Sequence, residues 1–226
     1  MPRSHWHLFD NAPGVAREAA RRILIAADKA IAGQGNFSIV LAGGSTPEST
    51  YRLLVDADSD WSKWHIYFGD ERCLPVDDAE RNSVMAASAW LDHVTIPDEN
   101  VHFIPAEQGA EAGASAYNLV VADAVPFDMV LLGMGEDGHT ASLFPGQIHP
   151  DSELVHAVHD APKPPPDRIS LSRNALSDCS ELLILLTGAG KQQAVTRWKQ
   201  GEDLPIANIG AHHAIDILLD RDASVE

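Results

Sequence analysis

The residues best suited to chemistry lie between Asp128 and Gly146, in the run DMVLLGMGEDGHTASLFPG. The segment starts as an apolar strand and breaks at Gly133, Gly135 and Gly138, and the break carries Asp137, His139, Thr140 and Ser142. An unperturbed imidazole titrates near ~6.5, so much of it is neutral at cytoplasmic pH and able to take a proton. A carboxylate as close as Asp137 can hold the tautomer of His139 and stabilise the imidazolium. The competing reading is structural, with His139 satisfied by turn carbonyls and Asp137 in an Asx-turn. Ser142 and Ser45 are nucleophiles by type, but neither lies in G-x-S-x-G, so covalent catalysis has no motif behind it.

A second set of residues has the pattern of an anion site. Phe37 to Ala42 is a short apolar strand followed at once by Gly43, Gly44, Ser45 and Thr46, and Pro47 then opens a helix. Thr46 is a natural N-cap before Pro47, or Ser45 with Glu48 forms a capping box if the helix starts one residue earlier. Strand, glycine pair, hydroxyls and helix start together aim free N–H groups and a helix dipole at one point, where a phosphate binds. A tight turn that uses glycine for steric reasons has the same sequence. Two further strand ends add charge. His65 to Gly69 runs into Asp70-Glu71-Arg72, and Glu181 to Thr187 runs into Gly188-Ala189-Gly190-Lys191. Arg72 suits a phosphate and Asp70 or Glu71 a positioning role; alone, the triplet also reads as a solvated loop.

Composition narrows the partners. The formal net charge is −17 with only 16 Lys and Arg, which argues against nucleic acid and anionic membranes. A local cation cluster can still form one positive pocket on a negative surface. No apolar run approaches the roughly 20 residues of a membrane span, and the start, MPRSHWHLFDNAPG, lacks the apolar core of a signal peptide. A cytoplasmic protein is expected. Cys73 and Cys179 sit in no C-x-x-C pattern and read as reduced buried thiols. The 11 histidines show no H-x-x-x-H spacing, and His212-His213 would point apart on a strand, so no metal is expected. Gly133-Met134-Gly135-Glu136-Asp137-Gly138 satisfies G-x-G-x-x-G, but Pro145 cuts short the helix a dinucleotide fingerprint needs, and the motif lies past mid-chain. No cofactor is expected.

These residues need a frame that brings distant strand ends together. Ala16, Ala19, Ala20, Ile23, Ala27 and Ile31 give a first helix from Asn11 to about Ala32, ended by Gly33 and Gly35. A helix follows Asn82, a short strand spans 101–104, an alanine-rich helix spans 107–124, and strands are expected at 154–159, 168–172 and 214–219. Ala161 to Asp167 (APKPPPD) is a stiff proline run, either a lid or rim over a crevice or a surface connector. The tail from Asp220 is expected to fray. Alternating strands and helices over residues 1–226, with no repeat or linker, predict a single α/β domain: a mostly parallel open sheet with helices on both faces, Rossmann-like. In such a sheet the loops 43–46, 69–75, 133–139 and 188–191 share one edge, where ligands bind.

Taken together, GGSTP after a strand, DER followed by Leu74-Pro75, GMG with DGHTASLFP, Arg168-Ile169-Ser170-Leu171 and Gly188-x-x-Lys191 resemble the 6-phosphogluconolactonases of the monomeric type, relatives of glucosamine-6-phosphate deaminase. The likeness runs from about Gly43 to Lys199. It implies hydrolysis of 6-phosphogluconolactone to 6-phosphogluconate in the oxidative pentose phosphate pathway, by a monomer without cofactor or metal. It makes His139 the water-activating base and Asp137 its acidic neighbour. Gly43, Gly44, Ser45, Thr46, Asp70, Arg72, Arg168 and Lys191 then surround the phosphosugar. The deaminase branch carries a glutamate shortly after its G-H motif, where this chain has Leu143, Phe144 and Pro145, which disfavours deamination. Ala42 and Ser170, where the family often has serine and threonine, are mild departures. A non-catalytic phosphosugar sensor is the third alternative, but it would need an attached DNA-binding module, and no basic helix-turn-helix fits.

Overall fold

The computed structural model describes residues 4–225; Met1 to Arg3 of the N-terminal stretch and Glu226 of the tail lie outside them. In chain order the elements are β1 (Ser4–Phe9), α1 (Ala12–Gln34), β2 (Phe37–Leu41), α2 (Ser45–Arg52), β3 (Trp64–Phe68), β4 (Asp70–Arg72), α3 (Asn82–Ala89), α4 (Ala110–Ala122), β5 (Phe127–Gly133), β6 (Val155–Val158), β7 (Arg168–Leu171), α5 (Arg173–Ser177), β8 (Cys179–Leu186), α6 (Gln192–Lys199) and β9 (Ala214–Asp220). Six strands form a central sheet in the order β1-β9-β8-β5-β2-β3, and every pair in it is parallel. Helices flank it, giving the expected α/β class.

The apolar runs behave as their composition requires. Met129 to Leu132 of β5 and Leu182 to Leu186 of β8 are buried, as central parallel strands covered on both faces must be. Helix α1 buries Val15, Ala16, Ala19, Ala20, Ile23, Ala26 and Ala27 along one stripe. Asn11 accepts from Gly14 N at its start, and Gly35 ends it with a φ of 92° that favours glycine. One continuous cluster joins these helices and strands. Among the described residues, no helix is long and apolar enough to cross a membrane.

Strand order creates the crevice. From β2 the chain steps to β3 on one side, whereas β5, β8 and β9 follow one another away from β2 on the other. The loops leaving β2 and β5 therefore diverge between neighbouring strands, the switch point at which open α/β sheets bind ligands.

The structure departs from expectation in several places. The Asp70–Arg72 triplet is neither loop nor solvated: it forms β4, antiparallel to β7, in a second sheet ordered β4-β7-β6. Asp70 and Glu71 are both buried. Glu71 accepts from the N–H groups of Asn82 at 2.8 Å and Ser83 at 2.8 Å, so the cap of α3 comes from Glu71, and Asn82 is the helix's first residue rather than its cap. Arg81, also buried, sits 3.5 Å from Glu71 and donates to the Ile104 carbonyl at 2.9 Å. Of the strand expected at 101–104, only Val101 pairs, in a single bridge to Ile66. The sequence pattern does not predict strand β1. His212 and His213 lie in the turn before β9, not on it. The tail to Val225 turns back instead of fraying, with Ala223 buried and its N–H on Asp220 at 2.8 Å.

The buried Glu71 links the start of α3 to Arg81. Glu71→Ala should lower stability by about 1–3 kcal/mol, because it leaves the buried N–H groups of Asn82 and Ser83 without an acceptor and leaves Arg81 with Glu107, at 3.2 Å, as its remaining carboxylate. Urea unfolding checks this; a loss under about 1 kcal/mol would mean that Glu71 is not the cap and counter-ion described.

Candidate active site

The four glycine-marked loops do meet. Gly43 to Pro47 after β2, Gly69, Asp70 and Arg72 after β3, Gly133 to Gly135 and His139 to Ala141 after β5, and Thr187 and Lys191 after β8 line one cavity of about 360 Å³. Lys163, Pro164 and Arg168 complete it from the second sheet and the proline run. Such a volume is at the lower end of the range for small-molecule sites, about 300–1,000 Å³.

His139 is built into its turn. Its Nδ1 lies 2.5 Å from Asp137 Oδ1, and its backbone N–H reaches the same oxygen at 3.1 Å. The Nδ1 proton therefore faces Asp137, and Nε2 is the nitrogen with a free lone pair. A Cβ on Gly135 would lie 2.1 Å from the imidazole and 2.7 Å from Asp137 Oδ1, so only glycine lets the pair sit there. The Phe144 ring packs on the imidazole with centroids 4.7 Å apart. Burial holds the His139 pKa below its ordinary value; Asp137 and Asp70 oppose that shift and Lys163 adds to it. Burial also acts to raise Asp137, but the His139 N–H and the imidazole outweigh it, and the carboxyl lies below its usual range. The result is a largely neutral imidazole backed by an ionised carboxylate.

A buried junction holds the loops around it. Asp70 accepts from Ser142 Oγ at 2.6 Å and from Asn82 Nδ2 at 3.1 Å. Ser142 N–H in turn reaches Ser170 Oγ at 3.3 Å. Asn82 lies directly over Gly43, where a Cβ would meet its Oδ1 at 2.1 Å. Asp70 thus joins the β2, β3 and β5 loops from below while lining the cavity. With its Oγ spent on Asp70 and no exposure, Ser142 is not available as a nucleophile.

Helix α2 starts at Ser45 with Gly44 as its N-cap, φ 107°, and no side chain caps it. Neither Thr46 as cap nor the Ser45–Glu48 box forms. Thr46 Oγ1 instead pairs with Thr187 Oγ1 at 2.6 Å, tying the β2 and β8 loops together. An uncapped helix start on a cavity wall keeps donors for an anion. The other turns keep fewer: Gly135 and Gly138 donate to His139 O and Gly135 O within their own loop, and Gly188 N donates to Asp220. The β8 loop contributes its cation, Lys191, whose pKa burial and Lys163 lower and Glu136 supports.

Of the two arginines, Arg72 donates from Nη1 to the Glu80 carbonyl, and its buried Nε has no partner among the described residues. A buried donor left so costs roughly 1–3 kcal/mol, which an oxyanion would recover. Arg168 is buried; Nε and Nη2 bond the carbonyls of Pro165, Lys163 and Pro164. Every residue expected at the site lines this cavity except Asp137, which stands behind His139. Sequence reasoning missed Asn82, Thr187 and Lys163 as site residues. Only Lys163 carried a signal, as the one cation in the proline run. Among the described residues, no three His, Cys, Asp or Glu side chains converge as metal ligands.

Comparison with known proteins gives the family. The family model for glucosamine-6-phosphate isomerases/6-phosphogluconolactonase matches residues 10–218. This chain belongs to that family. It is 37% identical over 240 residues to a 6-phosphogluconolactonase of Mycobacterium leprae, covering 97% of this chain and 96% of the relative. Its fold is similar to that of a 6-phosphogluconolactonase from Thermotoga maritima, with a TM-score of 0.91 at 25% identity over 97% of this chain and 100% of that one. A 6-phosphogluconolactonase from Trypanosoma brucei superposes with a TM-score of 0.87 at 28% identity, over 98% and 97% of the two chains.

Burial and Asp137 pull the imidazole in opposite directions, so removing the carboxylate leaves only the weaker pull of Asp70 against burial. Asp137→Asn should move the His139 pKa further down, read by NMR titration of the ring; an upward move would contradict the assigned balance.

Proposed function

We propose that the chain hydrolyses 6-phospho-D-glucono-1,5-lactone to 6-phosphogluconate, the lactone step of the oxidative pentose phosphate pathway, with water activated by His139. In this reading it acts as one lactonase unit, a cytoplasmic monomer using neither metal nor covalent intermediate. The observation that carries the proposal is a neutral, Asp-backed imidazole on the same small cavity as Arg72, Arg168, Lys191 and the open start of α2. Family membership supports the substrate class.

The chemistry asks little more than this. A lactone is an activated ester, and its C1 carbonyl accepts water directly. His139 Nε2 takes a proton as the water oxygen bonds to C1, while Asp137 stabilises the imidazolium at Nδ1. The tetrahedral oxyanion collapses, the bond from C1 to the ring oxygen breaks, and the imidazolium returns its proton to that oxygen. The new carboxyl then ionises. The phosphate, held by cations and by the N–H groups of α2, fixes C1 against the base through binding energy remote from the reaction.

Ring-opening deamination would need a further carboxylate close after the Gly138-His139 pair. That stretch is apolar, and Leu143 and Phe144 are buried. Ammonia release from glucosamine 6-phosphate would decide for that reading.

The test is a coupled assay on freshly generated lactone, corrected for spontaneous hydrolysis. His139→Ala should cut kcat by about 10²–10⁴ while binding of 6-phosphogluconate stays near wild type; unchanged turnover removes His139 from the reaction. Lys191→Ala should chiefly raise KM. In wild type kcat/KM should hold through neutral pH and fall only below the ordinary histidine range, because the lowered His139 pKa keeps the base unprotonated until then. A fall beginning above pH 7 would contradict that protonation state.

A further inference from the structure

The proline run is tied down at both ends. Ala161 N–H bonds Pro166 O at 3.0 Å, and Cys73 N–H bonds Asp167 O at 3.1 Å. His159, just before the run, bridges Asp167 at 2.7 Å and Glu111 at 3.1 Å. Ala161 packs with Val158 and Phe144, and Phe144 is the ring that lies against His139. Beneath the run, Arg168 gathers three consecutive carbonyls, those of Lys163, Pro164 and Pro165, with Nη2 and Nε, and its guanidinium lies 5.6 Å from the Phe144 ring centre. A guanidinium has a fixed fork of donors for such a set, which an ammonium cannot reproduce. The residue held by this arrangement is Lys163, exposed, on the cavity wall, and without an ion pair among the described residues. Its ammonium is a flexible cation fixed at its backbone on the wall of a cavity that also carries Arg72 and Lys191.

We infer that residues 161–167 form a fixed strap of the substrate site, in which Lys163 contacts the phosphorylated substrate from the open side and Arg168 is the positioning residue that holds it there. This rests on the lactonase reading and divides the cations by role. Arg72, Lys163 and Lys191 meet the substrate, whereas Arg168 spends two of its nitrogens on the strap.

The experiment is a double-variant cycle with Lys163→Met and Arg168→Lys. KM for the lactone comes from the corrected coupled assay, and Kd for 6-phosphogluconate from calorimetry. Loss of a charged hydrogen bond corresponds to about a tenfold or greater weakening, so Lys163→Met should raise both constants by at least that factor. Arg168→Lys, which keeps the charge and loses the fork, should do nearly the same, and the double variant should be no worse than either single one. Lys163→Met should also shift the acid limb of kcat/KM upward and Lys163→Arg should not, because the charges facing His139 are Asp137 on its own turn, Asp70 on β4 and Lys163 on the strap. A structural role alone would leave that limb in place. A change within twofold for Lys163→Met, or effects that multiply in the double variant, overturns the inference. Lys163→Met needs no rearrangement of the fold, so the test holds even if Arg168→Lys fails to fold. If wild type does not turn over lactone yet binds 6-phosphogluconate in a Lys163-dependent way, the lactonase reading fails and the strap survives. Normal turnover with a silent Lys163→Met fails the strap alone.

Discussion

The hydrogen bond between His139 Nδ1 and Asp137 Oδ1 exists because Gly135 has no side chain. Any Cβ there would occupy the space of the ring and the carboxylate together. The same glycine bonds its N–H to His139 O, so the turn that makes room for the pair also closes around it. From this follow the tautomer, the free Nε2 and the ionised carboxylate behind it. Burial alone would only depress the imidazole; the paired carboxylate favours its charged form.

Buried polar groups hold the loop that carries His139 in place. Asp70 and Glu71 are adjacent and point to opposite tasks. Asp70 holds Ser142 and Asn82, hence the His139 loop and the Gly43 turn. Glu71 holds the start of α3 and faces Arg81. Buried carboxylates are tolerated only when fully bonded, so each fixes its neighbours' geometry as a condition of being buried. The second sheet exists around this pair: β4 is only Gly69 away from the end of β3, and pairing with β7 sets Asp70 opposite Ser170 and Arg72 opposite Arg168.

How much of this was legible follows from how local the signal is. Strands such as FSIVLA and ELLILLT announce themselves by composition, and their glycine ends mark the crevice edge without any partner being known. The pairing of Asp137 with His139 is local too, two residues apart. Burial of Asp70 and Glu71 was not legible, because their partners Asn82, Ser83 and Ser142 lie roughly 11 to 72 positions away and a run of charges reads as solvated until they are known. Strand β1, SHWHLF, is an edge strand with exposed and half-buried positions only, and its ladder to β9 spans nearly the whole chain. Lys163 could be seen as a cation among prolines, but the Arg168 contacts that fix it belong to tertiary structure.

The lactonase reading needs His139 and the cations Arg72, Arg168 and Lys191 to meet one substrate in the small cavity they all line. A crystal structure of the protein with 6-phosphogluconate tests it most directly. The account predicts the C1 carboxylate within hydrogen-bond distance of His139 Nε2 and the phosphate at the start of α2, with Lys191 and at least one further cavity cation on it. A ligand bound in the reverse sense, with phosphate on His139, or seated outside this cavity would contradict it.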